Sequence, residues 1–94
     1  MSKIPDNNAH DQCEKAMSTF LREEIRGSLK VAEFFLQWLL DDNSHKSTSG
    51  DAFFLEKNFD KVIIGNLFDE SFSATEVSKI DLVNFIKMSV KNLA

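Results

Sequence analysis

The stretch VAEFFLQWLLDD, Val31 to Asp42, sets the hardest constraint on this chain. Eight of its first ten residues are apolar and three of those are aromatic. Read as a helix, its polar positions Lys30, Glu33, Gln37 and Asp41 fall on one narrow stripe. Val31, Phe34, Phe35, Trp38 and Leu40 then all need cover, because a helix that is apolar nearly all round is a buried one. The chain has 94 residues, enough for one domain. A domain of that size buries a smaller fraction of its surface than a larger one does. What covers this helix therefore decides the fold.

The stretch is not a membrane span. Ten residues separate Lys30 from Asp41, against the roughly 20 that a bilayer requires. Hydrophobic residues make up 43% of the chain, with nine Phe and one Trp, which is too apolar for a disordered segment. The net charge of −4 and sequence pI near 5.0 argue against a general attraction to nucleic acid or anionic lipid. An acidic surface suits solubility or a basic protein partner. The single cysteine, Cys13, has no internal disulfide partner, and the opening MSKIPDNNAHDQ holds no apolar run like a signal peptide. Both points favour a reducing, intracellular setting, and the cytoplasm is expected.

Along the chain, residues 1–8 read as a flexible lead-in. From Ala9 the apolar positions Cys13, Met17, Phe20, Leu21, Ile25, Leu29, Ala32, Leu36 and Leu39 recur at helical spacing. They predict one long helix over 9–41, about 50 Å if unbroken. Gly27 marks a bend, or a break into two helices. Residues 41–51 are a polar loop. Leu55, Phe59, Val62, Ile63 and Leu67 make a stripe that predicts a second helix over 52–68. A strand reading of KVIIGNLF competes with it, because Val62, Ile63 and Ile64 are β-branched. Ser73 and Glu76 form a capping box and Phe72 with Val77 a hydrophobic staple, which predict a last helix over 73–93. The expected fold is all-α: a small three-helix bundle, or four helices if the first breaks at Gly27, within a single domain over 9–94.

No motif for catalysis, cofactor or metal stands out. His10, Asp11 and Cys13 lie together, but zinc sites need three or four ligands and the only other histidine is His45. An EF-hand count from Asp41 puts Lys46 where glycine and Ala52 where glutamate belong. The three glycines are too dispersed for a phosphate loop. The expectation is therefore a non-enzymatic regulatory or adaptor protein with no cofactor, no metal and no evident small-molecule substrate. It would associate with a second copy or a target protein through Phe34, Phe35, Trp38, Leu40, Asp41 and Asp42, since aromatics anchor interfaces. The two aspartates oppose the helix dipole and call for a lysine or arginine, from a partner, from Lys46 or from the last helix. The alternative is a helix-turn-helix DNA binder formed by 52–68 and 73–93, with Lys79, Lys87 and Lys91 on phosphates. The net charge disfavours nucleic acid as a partner.

Burial of the central helix has a direct test. Trp38→Ala is expected to lower stability by about 3–5 kcal/mol, read from denaturant midpoints. A melting temperature close to wild type would place Trp38 on the surface.

Overall fold

The computed structural model describes the backbone of residues 5–90 and the side chains of residues 11–90. Helix α1 spans Pro5–Phe20 and continues as a π-helical turn over Leu21–Ile25. Helix α2 spans Leu29–Leu40. Strands β1 (Ser47–Ser49), β2 (Phe53–Asn58), β3 (Lys61–Asn66) and β4 (Thr75–Ser78) follow, and helix α3 (Lys79–Ser89) ends the described chain. The four strands form one antiparallel sheet in the order β1-β2-β3-β4. The protein is therefore α+β, and the expected all-α helical bundle is wrong.

The helix expected over 52–68 is a β-hairpin. In β2, Phe53 and Leu55 are buried while Phe54 and Glu56 lie on the other face, which is the period of two that a strand imposes. Val62 and Ile64 do the same in β3. Leu55 faces Ile64 and Val62 faces Val77 across the ladders, building one apolar face. On the opposite face the Phe54 ring lies over Gly65, where a Cβ would collide with it. Two members of the supposed helical stripe, Phe59 and Leu67, are exposed.

The last helix begins six residues later than its capping box predicts. Thr75–Ser78 is strand β4 and Ser78 is the N-cap of α3, with no side-chain cap bond. The Glu76 carboxylate accepts from Asn58 Nδ2 at 2.9 Å instead of turning back on a helix. Phe72 packs edge-on against Phe53, with ring centroids 5.3 Å apart. Pairing with β3 buries Val77 in the sheet core, and that outweighs a local cap worth about 1 kcal/mol.

Nor is 9–41 one helix. Its first part starts at Pro5, inside the stretch expected as a lead-in. It widens into the π turn closed by Arg26 N–H donating to the Leu21 carbonyl at 2.8 Å. Arg26 (φ 52°) and Gly27 (φ 73°) then both take left-handed conformations and end it. Ser28 caps α2 by accepting from Val31 N–H at 3.3 Å. The break lets α2 fold back, so the chain covers its own apolar helix. Ala32, Phe35, Leu36, Trp38 and Leu39 are buried with Phe20, Phe53, Leu55, Val62 and Leu82. Phe20 sits edge-on to both Phe35 (5.0 Å) and Phe53 (5.7 Å), joining α1, α2 and the sheet.

One buried charge fixes how the helices meet the sheet. Glu24, in the π turn, is only 3% exposed. Its carboxylate accepts from the backbone N–H groups of Asp51, Ala52 and Phe53, each at 2.9 Å. Gly50 leaves room for it, since a Cβ there would fall against Glu24 Oε2. At the same end of the sheet, where Asn66 pairs with Phe53, the loop after β3 is shaped by Asn66 Oδ1, which accepts from Phe68 N–H (2.8 Å) and Asp69 N–H (2.7 Å). The Ser71 hydroxyl, and then its N–H, hold the exposed Asp69 carboxyl below its ordinary pKa.

Glu24→Ala is expected to destabilise the fold by on the order of 3 kcal/mol, because three backbone donors lose a charged acceptor. Gly50→Ala is expected to act in the same direction by displacing the carboxylate. Unchanged urea midpoints for both variants would show that the strand start holds itself.

Candidate functional site

The residues expected at a partner interface do not share one surface. Phe35 and Trp38 point into the core, whereas Phe34 (52% exposed) and Leu40 (60%) are open, as are Asp41 and Asp42. Of the residues assigned to DNA, Lys79 pairs with Asp42, Lys87 is exposed, and Lys91 lies outside the described residues. With 53–66 folded as a hairpin, the helix-turn-helix arrangement fails. The His10 side chain also lies outside the described residues, and the Cys13 thiol donates to the Glu76 carbonyl at 3.4 Å. Among the described residues, no three potential metal ligands cluster, and no helix is long and apolar enough to cross a membrane.

The end of α2 is where chemistry gathers. Trp38 Nε1–H donates to the His45 carbonyl at 2.8 Å, pulling the polar loop back over the ring. The Ser44 hydroxyl bonds with the Trp38 and Asp41 carbonyls at 2.9 and 2.7 Å. From β2, Lys57 Nζ reaches the same place. It donates to the Asp41 carbonyl at 2.8 Å and to Ser44 Oγ, and lies 4.6 Å from the centre of the Trp38 ring. An ammonium on the last carbonyls of a helix is the favoured sign for its dipole. The two aspartates that seemed misplaced are also answered within the chain. The Asp41 carboxylate accepts from Asn43 N–H at 2.9 Å. Asp42 pairs at 3.8 Å with Lys79, the first residue of the last helix.

This end also carries the β2–β3 turn. Asn58 pairs with Lys61, so the turn has two residues, Phe59 and Asp60. The Asp60 carbonyl accepts from Lys79 N–H at 2.9 Å, which docks the turn at the start of α3. Together Asp42, Ser44, Lys46, Lys57, Asn58, Phe59 and Lys79 line a cleft of about 410 Å³. Ser44 and Lys57 touch as a serine–lysine dyad would. There Lys57 Nζ donates to Ser44 Oγ, and the Ser44 hydroxyl is itself engaged with the Trp38 and Asp41 carbonyls.

Phe59 is the outlier. It is 94% exposed and has φ 60°. Glycine normally takes such a place in a two-residue hairpin, and a bulky side chain there is rare. A bare aromatic ring and an unfavourable backbone thus coincide at one residue. Leu40 and Ile80 (62% exposed) are also open, Leu40 next but one in sequence to Asp42 and Ile80 next to Lys79. Sequence reasoning included Phe59 in a buried stripe and passed over Lys57 and Glu24. Glu24 was detectable, since it lies four residues after Phe20 and seven after Met17, on their stripe. Lys57 was not, because its place depends on the hairpin.

No family model, curated protein or solved structure matches the chain.

Phe59→Gly is expected to raise stability by about 1 kcal/mol, because relief of strain at a positive φ outweighs the added freedom of glycine in the unfolded chain. A lower melting temperature would mean that the ring makes contacts worth more than the strain.

Proposed function

We propose that this chain is a small, non-enzymatic protein-binding module that modulates a target protein by presenting the β2–β3 turn to it. The observation that carries the proposal is Phe59, a fully offered aromatic at a position where folding alone favours glycine. Aromatic side chains that insert into a partner's pocket supply much of the binding energy of protein interfaces. Lys57, Ser44 and Asn58, which line the cleft beside Phe59, give the contact a polar rim. The protein's own helices and sheet cover Phe35, Trp38 and Leu39, while Phe34 and Leu40 of the same helix stay exposed.

The test places p-benzoylphenylalanine at position 59, and separately at Phe34 and Phe68 as exposed controls, and cross-links in native lysate. A discrete adduct is expected from position 59 alone. Excess unlabelled wild-type protein should suppress it, and excess Phe59→Gly protein should not. Adduct masses of twice the chain would make the partner a second copy. Equal suppression by both competitors would overturn the proposal.

A further inference from the structure

We propose that the cleft beside Phe59 receives a carboxylate side chain of the docked partner, an inference that rests on the protein-binding reading above. Lys57 carries the argument. Its ammonium is fixed in place by the Asp41 carbonyl, the Ser44 hydroxyl and the Trp38 ring, all of them neutral. Among the described residues, no carboxylate lies within ion-pair distance of it. An immobilised positive charge held only by neutral groups at the wall of a cleft is preorganised for an incoming anion.

Two further ammoniums line or border the same space with replaceable partners. Lys46 meets Glu56 at 3.9 Å and Lys79 meets Asp42 at 3.8 Å, both near the outer limit of ion pairing. Asp42 is almost wholly exposed, so that pair is weak and open to exchange. The cleft lining therefore holds three ammoniums against the Asp42 carboxylate, while the carboxylates of Glu56 on Lys46 and of Glu76 on the Asn58 amide stand outside it. The molecule as a whole is acidic, with a net charge of −4. That asymmetry excludes an extended polyanion such as nucleic acid, which would meet repulsion beyond the cleft, and fits a single carboxylate. The partner is thus a protein surface with an apolar pocket for Phe59 and a glutamate or aspartate at the rim of that pocket.

The experiment titrates the ¹⁵N-labelled 94-residue chain with N-acetyl-triglutamate amide, N-acetyl-triglutamine amide and inorganic phosphate at low salt. The triglutamate peptide is expected to give saturable shifts at the amides of Ser44, Lys46, Asn58 and Phe59, and the triglutamine peptide none. The double variant Lys46→Gln/Lys79→Gln should weaken the triglutamate peptide by about fivefold or more, with the wild-type spectrum otherwise retained. Lys57→Gln should abolish binding. Should loss of the helix-end contact unfold that variant, the double variant still decides. A flat triglutamate titration overturns the proposal, as does phosphate saturating the cleft more tightly than the peptide. The titration needs no partner, so the two readings fail separately. A flat titration beside a persisting position-59 cross-link removes the carboxylate site alone. A binding isotherm beside a lost cross-link removes the docking reading.

Discussion

The Glu24 carboxylate is the interaction on which the arrangement depends. It sits at the end of the first helical segment and gathers the three N–H groups that open the path into β2. Burying a carboxylate in a small core is strongly unfavourable unless charge-assisted hydrogen bonds offset the loss of water. Here the donors are backbone groups, fixed in direction by the strand that they begin. The contact therefore sets the distance between helix and sheet and also the phase of the sheet. Phe53, whose N–H donates to Glu24, is the residue that turns inward to meet Phe20 and Phe72. Slipping the strand by one residue would lose the clamp and turn Phe54 inward in place of Phe53.

The π turn gives the clamp its reach. A single wide turn, closed from Arg26 N–H to the Leu21 carbonyl, is followed at once by two left-handed residues. The chain thus reverses within a few residues of Glu24 and returns as α2 across the same core. α2 is sealed at its other end by Lys57 and Ser44. The helix is consequently tied to the sheet at both ends, through backbone donors near its start and a lysine at its finish. These ties, with the aromatic contacts between them, explain how so apolar a helix is covered by one chain of 94 residues.

Burial of Phe35, Trp38 and Leu39 was legible in the VAEFFLQWLLDD segment, although Phe34 and Leu40, expected to need cover as well, are exposed. Gly27, read as a bend or a break, is the place of a break. The sheet was hidden for specific reasons. In β2 and β3 the alternation of Phe53, Leu55, Val62 and Ile64 is blurred by Phe54 and Ile63 on the other face, so apolar residues run together and mimic a helical stripe. Ser73 and Glu76 have the spacing of a helix cap, yet long-range pairing with β3 takes that segment. Such pairing is decided by residues distant in sequence, which local patterns do not record. Of the candidate site, Leu40, Asp41 and Asp42 were visible at the helix end. Lys57 and Phe59 were not, because the fold must first bring the hairpin to them.

The hairpin escaped notice for one reason that bears on function. Two-residue turns are usually announced by glycine or asparagine, and here the turn reads Phe59-Asp60. The residue that conceals the hairpin is the one whose conformation and exposure folding does not favour. Other apolar side chains are exposed as well: Phe34 leans on Phe35, while Phe68 follows an asparagine that shapes its loop. Only at Phe59 does an exposed aromatic coincide with positive φ. Agreement between local preference and global fold is the general condition for a stable structure, and departures from it collect where a protein does something besides fold. The departure here sits beside a fixed lysine and a polar cleft, at the one end of the sheet where α2, the hairpin and α3 converge.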